Sequence, residues 1–94
     1  MTHVMIRHKV NDFDKWKKTF DEFSSFRKSS GEMSFQVMQH QEDSNNVYLM
    51  FEWDNEENAR KFFGSAELKE RMQKAGVAEA PEINFLNQAD RGKL

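Results

Sequence analysis

One ionisable side chain, His8, lies among apolar residues near the start of this 94-residue chain. The segment THVMIRHKV alternates between two faces and contains β-branched residues, which predicts a strand over residues 2–10. Its apolar face carries Val4, Ile6, His8 and Val10. An imidazole, with an ordinary pKa of about 6.5, can take a proton from a phenol or enol, or orient one by hydrogen bonding. The alternative is a strand-end histidine satisfied by a backbone carbonyl or water, and the sequence leaves both interpretations open.

A stripe of aromatic residues follows this strand almost at once. Asn11 or Asp12 is a suitable helix N-cap and Gly31 a suitable residue at the end, so one helix is expected between them. The residues at helical spacing on its inner face are Phe13, Trp16, Phe20, Phe23 and Arg27. Such a stripe is typical of a core. It is also compatible with a cavity if Trp16 and Phe20 line a space beneath the helix.

Other catalytic and metal-binding arrangements find no support in the sequence. The three histidines, His3, His8 and His40, lack metal-ligand spacing, and strand parity turns His40 away from His8. The chain contains no cysteine, and no serine lies in a nucleophile elbow or close to a base. We therefore expect no metal site and no covalent catalysis.

Composition argues against two classes of partner. The net charge is −2, and the lysines after residue 14 alternate with acids, so the basic stripe of a nucleic-acid-binding protein is missing. No apolar run approaches the roughly 18 residues of a membrane span, and the N-terminal segment does not form a signal-peptide core. Because the absence of cysteine fits a reducing compartment, we expect a cytoplasmic protein without nucleic-acid or membrane partners.

The remaining segments complete a β-α-β-β-α-β order in one domain spanning residues 1–94. The later strands are predicted at residues 33–41, 47–54 and 82–88, with a turn at 42–46. The second helix is predicted to start after Asp54 as its cap, to break at Gly64 and Ser65, and to close at Gly76. This order predicts a ferredoxin-like α+β fold, in which a four-stranded antiparallel sheet carries the helices on one face.

The two faces of the predicted sheet differ in character. The face toward the helices is mostly apolar and carries Val4, Ile6, His8, Met33, Phe35, Val37, Leu49, Phe51 and Trp53. The opposite face mixes methionines and a tyrosine with charged groups, namely Met5, Arg7, Lys9, Gln36, Met38, His40, Tyr48, Met50, Glu52 and Leu86. This mixture is more typical of an interface than of a solvated sheet. We therefore predict a homodimer that forms sheet to sheet.

Three long segments resemble the dimeric α/β-barrel superfamily, in particular its antibiotic-biosynthesis-monooxygenase-like domains. VMIRHKV leads straight into DFDKWKKTFDEF, and VYLMFEWDNEENARKFF follows. The last segment, SAELKERMQKAGVAEAPEINFL, has Ala-Gly-Val before a Pro-Glu-Ile strand. The resemblance covers about residues 3–88, and it implies that the sheets of two subunits pack into an α/β barrel.

The resemblance also implies a small-molecule pocket in each subunit, between the sheet and the helices. Its lining would be His8, Trp16, Phe20, Phe51, Trp53, Phe62, Phe63 and Met72. By analogy with the cofactor-independent oxygenases of the superfamily, no metal or organic cofactor is implied, and the ligand would be a small hydrophobic or aromatic molecule whose own electrons activate oxygen. Haem degradation is disfavoured because it uses a helical histidine as iron ligand, and neither predicted helix contains one.

Three functions remain open from the sequence. The first is a cofactor-independent monooxygenase, or a cyclase or isomerase, that acts on a small aromatic or enolisable compound with His8 as the candidate catalytic group. The second is a module that binds such a molecule without turnover. The third is a dimerisation domain with an incidental cavity. A single acid–base candidate does not separate them.

Overall fold

Four antiparallel strands form one sheet, and four helices connect them in two pairs. The computed structural model describes all residues, Met1–Leu94. The strands are β1 (Thr2–Lys9), β2 (Glu32–His40), β3 (Asp43–Trp53) and β4 (Glu82–Leu86), and the helices are α1 (Phe13–Glu22), α2 (Ser24–Ser30), α3 (Glu56–Phe63) and α4 (Ala66–Lys74). The sheet order is β2-β3-β1-β4, and every neighbouring pair is antiparallel. The predicted ferredoxin-like α+β fold is confirmed.

The core lies between the helices and the two central strands. β1 and β3 supply its middle through the cross-strand pairs Val4–Phe51, Ile6–Leu49 and His8–Val47. All six side chains are 5% exposed or less. Trp16 and Phe20 from α1 and Phe62 from α3 join the same buried cluster. Burial of one such side chain is worth about 1.5–3 kcal/mol, so this packing holds β1, and with it His8, firmly in place.

The first helical segment is two helices, where the sequence predicted one. Asp12 is the N-cap of α1, and its side chain accepts a hydrogen bond from the Lys15 N–H. At Phe23 the backbone N–H bonds three residues back, to the Phe20 carbonyl, and this tighter bond ends α1. The serines that open α2 favour such an interruption because their side chains compete for backbone hydrogen bonds. Gly31, with a φ of 124°, then ends α2.

The turn predicted at residues 42–46 is mostly strand. β3 begins at Asp43, so only Gln41 and Glu42 connect it to β2. Two neighbouring asparagines fit the strand because each has a partner: Asn45 accepts from the Phe13 N–H at 3.0 Å, and Asn46 accepts from Arg7. The polar composition of the segment therefore reflects tertiary hydrogen bonds that no local pattern reveals.

An irregularity at the start of β2 changes which residues face the helices. The register shifts between Glu32 and Ser34, so Glu32 pairs with Trp53 on the inner face while Met33 is left without a partner. Met33 is consequently 60% exposed, which corrects its predicted inward position. Phe35 keeps its inner position, with its ring 5.3 Å from that of Phe20, although it is 45% exposed at the sheet edge.

The second helical segment breaks where the sequence predicted. Asn55, one residue later than the predicted Asp54, is the N-cap of α3, and it accepts from the Asn58 N–H at 2.8 Å. Gly64 ends α3, and Ser65 opens α4 by accepting from the Leu68 N–H. No residue of α4 is fully buried, which makes it the least anchored of the helices.

The sheet face away from the helices is open in the single chain. Met5 is 37% exposed, Met38 47% and Leu86 39%. Arg7 lies among them and forms an ion pair with Glu82. None of the helices has the length and apolar character needed to cross a membrane.

Candidate functional site

An apolar cavity of about 70 Å³ lies between the sheet and the helices. We call it the inner cavity. Seven of the eight side chains that the sequence predicted as pocket lining border it, namely His8, Trp16, Phe20, Phe51, Phe62, Phe63 and Met72. The other bordering residues are Ile6, Phe23, Phe26, Arg27, Leu49, Leu68, Arg71, Ala75 and Ile83. The structure thus brings together residues from β1, β3, β4 and all four helices, and their part in binding stays a prediction.

Trp53, the eighth predicted residue, does not border the inner cavity. It is paired with Thr2, at the end of β3 opposite to Val47, which is the partner of His8. Its ring packs 4.9 Å from Phe62 and 5.5 Å from Phe63, and these rings stand between it and the cavity. Strand parity placed Trp53 on the correct face, but parity carries no information about position along the strand.

His8 is the polar group that distinguishes the inner cavity from ordinary core. Its side chain is buried, and neither Nδ1 nor Nε2 has a hydrogen-bond partner. Burial lowers the pKa of His8 to about 4, so the imidazole is neutral at pH 7. A neutral imidazole has one N–H donor and one acceptor nitrogen. Because buried polar groups are almost always paired, a ligand group or a water can pair with these two free atoms.

An aromatic stack lies beside the His8 ring. The Trp16 indole meets the imidazole edge-on, with ring centroids 5.4 Å apart. The same indole stacks on Phe20 at 5.0 Å. Both residues lie on the inner face of α1, one helical turn apart, as the aromatic stripe predicts. These rings give a planar aromatic ligand apolar surfaces to pack against, while His8 supplies the hydrogen bond.

A buried ion pair that the sequence analysis missed includes Arg27, which borders the inner cavity. Arg27 and Glu32 are each 6% exposed in their side chains, with 2.9 Å between Nε and Oε2. The Arg27 guanidinium lies 3.7 Å from the centre of the Phe20 ring and donates to the Phe20 carbonyl. Burial raises the pKa of Glu32, and the pairing with Arg27 opposes that rise. The sequence placed Arg27 at the charged end of the aromatic stripe. It did not predict Glu32 as its partner, because Glu32 faces inward only through the register shift at the start of β2.

A second opening, which we call the outer groove, adjoins the inner cavity. It measures about 480 Å³ and runs between α4 and the segment 77–83. Four side chains border both spaces and separate them, and we refer to them as the wall: Phe63, Leu68, Met72 and Ile83. The outer groove adds polar side chains at its rim, among them Lys69 and Gln73 on α4.

The chemistry available at the inner cavity is limited to hydrogen bonding and proton transfer. His8 is the one bordering side chain with a free acceptor nitrogen, since both bordering arginines stay charged and only donate. Arg71 is held over the rings of Phe23 and Phe26 and bonds to Glu67. No cluster of three or more His, Cys, Asp or Glu side chains is placed to hold a metal ion.

The chain is similar to proteins of one family. The family model described as antibiotic biosynthesis monooxygenase matches residues 1–74. No curated protein sequence matches the chain. Among solved structures, the cofactor-independent oxygenase SnoaB from Streptomyces nogalater aligns with a TM-score of 0.77 at 11% identity, covering 96% of this chain and 94% of that one.

Two further structures share the fold. A protein from Bordetella bronchiseptica aligns with a TM-score of 0.78 at 14% identity, over 94% of this chain and 96% of that one. A protein from Methanosarcina mazei aligns with a TM-score of 0.62 at 18% identity, over 93% and 91% of the two chains. At these identities the likeness concerns the fold.

Proposed function

The chain belongs to the antibiotic biosynthesis monooxygenase family, and on that premise we propose that it oxidises a small phenol or enol with dioxygen and without a cofactor. The observation that carries the proposal is the neutral His8 imidazole, buried in an aromatic cavity with both ring nitrogens free. A structural histidine in a core ordinarily has at least one partner. A hydroxyl group on a ligand would supply it.

His8 would act on the ligand hydroxyl as hydrogen-bond acceptor and then as base. In the empty cavity its pKa of about 4 makes it a weak base. A phenolate or enolate formed beside His8 raises the pKa of the imidazole. The anion stabilises the imidazolium across a short hydrogen bond, and the effect is strong because the surroundings are apolar. The pair stays neutral overall, so its burial costs less than burying either ion alone.

The oxidation proceeds from an electron-rich enolate without help from a metal. For an activated methylene group, the enolate carbon gives an electron to dioxygen, and the resulting radical pair joins through a carbon–oxygen bond. The peroxide takes back the proton from His8. Loss of the second methylene hydrogen then breaks the O–O bond, leaving a ketone oxygen on carbon and releasing one water that carries both hydrogens. Each dioxygen thus gives one oxygen atom to the product and one to water.

A second candidate function is binding without turnover. It is favoured by one specific observation, which is that His8 has no acidic or basic side chain within hydrogen-bonding distance to relay its proton. Enzymes that move protons usually orient their base through a second polar group. A cyclase or isomerase would face the same requirement, since it needs proton transfer at two positions.

We also propose that the protein acts as a homodimer joined through the outer faces of the sheets. Support comes from the half-exposed apolar side chains on this face, Met5, Met38 and Leu86, and from the methionine pair Met5–Met50 at its centre. A sheet face of this composition is stabilised when a second copy covers it. Arg7 and Glu82 form an ion pair, so their charges offset each other when the interface covers them.

The proposal is tested with a panel of phenols, hydroquinones and β-diketones. Binding is followed by tryptophan fluorescence, because Trp16 borders the inner cavity, and oxidation by oxygen consumption against buffer. The test variant is His8→Phe, and the control is Lys18→Phe, at an exposed position of α1 outside both spaces. Oxygen consumption that falls with His8→Phe and persists with Lys18→Phe supports the enzyme. Binding that depends on His8 with no oxygen consumption by any panel member supports the binding module.

A further inference from the structure

The size of the inner cavity limits what can reach His8. A cavity of roughly 150 Å³ accommodates benzene, and the inner cavity is about half as large at about 70 Å³. Small-molecule sites usually measure about 300–1,000 Å³. The outer groove, at about 480 Å³, falls within that range. Most of a ligand's volume therefore has room in the outer groove, and only a small part of it fits beside His8.

The wall between the two spaces consists of side chains that can move. Met72 is half-buried and has three flexible bonds, and it sits on α4, which buries no residue fully. Phe63 is half-buried and directly precedes Gly64, where α3 ends. Because Phe63 and Met72 border both spaces, rotation of these two side chains would enlarge the inner cavity and join it to the outer groove. The same motion that admits a ring thus opens a path for whatever is attached to it.

The outer groove has a mixed lining whose apolar part continues from the wall. Val77, Ala78, Ala80 and Pro81 border it together with the wall residues, and Lys69 and Glu79 add charged groups. An unbranched hydrocarbon chain can pack along these apolar residues. The polar rim leaves the far end of such a chain near water.

We propose that the ligand is a two-part molecule, with a one-ring phenol or enol head at His8 and an unbranched apolar tail in the outer groove. The proposal rests on the proposed function for the position of the head. It adds a substrate class, that of alkyl- or acyl-substituted phenols and their enol counterparts. It also assigns the segment 77–83, outside the helices, to ligand binding.

The test is a series of 4-alkylphenols from phenol to 4-octylphenol, with dissociation constants measured by tryptophan fluorescence. Burial of one methylene group favours binding about three- to fourfold, so affinity should rise steeply over the first four carbons. Ala80→Phe adds a ring to the lining of the outer groove and should reduce that gain. The matched control is Ala89→Phe, at an exposed alanine outside both spaces, which should keep the full gain.

The outcomes separate this inference from the proposed function. If phenol binding depends on His8 but affinity stays flat along the series, the tail assignment is overturned while the head assignment stands. If Ala80→Phe leaves the gain intact, the tail lies elsewhere and the groove assignment is overturned. If neither this series nor the panel of phenols, hydroquinones and β-diketones shows a dependence on His8, the proposed function fails, and this inference fails with it.

Discussion

Burial without a partner sets the charge of His8 and gives it a measurable effect on stability. Its pKa is about 4 in the folded chain and about 6.5 when exposed. Between these values the unfolded chain binds the extra proton, so stability is full above about pH 6.5 and falls as the pH drops toward 4. The difference of pKa corresponds to roughly 3 kcal/mol. A histidine satisfied by a carbonyl would show a smaller loss.

We predict that His8→Phe flattens this dependence. The free energy of unfolding of the unmodified protein should drop by about 3 kcal/mol more than that of the variant between pH 7 and pH 4. Urea denaturation at several pH values measures both, at one protein concentration. Other titrating groups, Glu32 among them, are common to the two proteins and cancel in the difference. Parallel stability curves would show that His8 is neither buried nor unpaired.

The position of a residue was predictable from sequence where it depended only on which face of a strand or helix the side chain occupies. The strand parity of His8 and the helical spacing of Trp16 and Phe20 were enough to place them together. Glu32 was not predictable, because its inward position comes from an irregularity in the pairing of β2 with β3. Local alternation does not show where a strand takes up an extra residue.

At the scale of elements, the ion pair of Arg27 and Glu32 ties α2 to the first residue of β2. We predict that Arg27→Met destabilises the protein by about 3 kcal/mol at pH 7, because the Glu32 carboxylate is then buried without a partner. Since burial already raises the pKa of Glu32, losing Arg27 raises it further. A raised pKa gives stability at low pH that is lost as the pH rises, so the variant should recover part of the loss between pH 7 and pH 5.

Denaturation of Arg27→Met at both pH values measures this recovery. The control is Lys17→Met, which breaks the exposed pair of Lys17 with Asp21 and should cost less than about 1 kcal/mol at either pH. A variant Arg27→Met that loses stability equally at pH 5 and pH 7 would mean that Glu32 is solvated.

We predict that α4 opens more readily than the rest of the fold and closes on a ligand. Its amide hydrogens should exchange faster than those of α1, because α4 has no fully buried residue whereas α1 buries Trp16 and Phe20. Addition of 4-butylphenol should slow exchange in residues 63–76. Hydrogen exchange followed by mass spectrometry measures both effects, with β3 as the internal reference. Slow exchange across residues 60–76 without ligand would show that the segment is rigid. It would contradict the proposal that the wall residues move to connect the inner cavity with the outer groove.

The boundaries of the elements show where sequence reasoning stops. The break at Gly64 and Ser65 was predicted because glycine and a capping serine act locally. The break at Phe23 was not, since its apolar side chain continues the helical stripe. The early start of β3 was missed for a related reason, because the asparagines there find their partners on β1 and at the start of α1.

On the scale of the whole molecule, the proposed dimer follows from the open sheet face. Met50 is central to this face, since it pairs with Met5 on one side and Gln36 on the other. We predict that Met50→Glu produces a monomer, because the new carboxylate would be buried between two sheets. Sedimentation at micromolar concentration measures the mass. Lys18→Glu, on the exposed surface of α1, is the control and should leave the dimer intact.

A monomer of the unmodified protein at that concentration would contradict the dimer directly. The order of strands and helical segments, by contrast, was predictable apart from the break at Phe23, because hydrophobic periodicity and turn residues agree along almost the whole chain. The size of the inner cavity was not predictable. It depends on how far α4 stands from the sheet, and no local pattern encodes that distance.

The most direct test of the central claim is the nitrogen spectrum of the histidine side chains. Protein with ¹⁵N-labelled histidine is titrated with 4-butylphenol at pH 7, and the ring nitrogens of His3, His8 and His40 are followed by NMR. We predict that His8 starts as a neutral imidazole and that its acceptor nitrogen shifts with saturation as the phenol hydroxyl binds, while His3 and His40 do not change. A His8 signal that stays constant at all phenol concentrations would contradict the assignment of the inner cavity as the functional site.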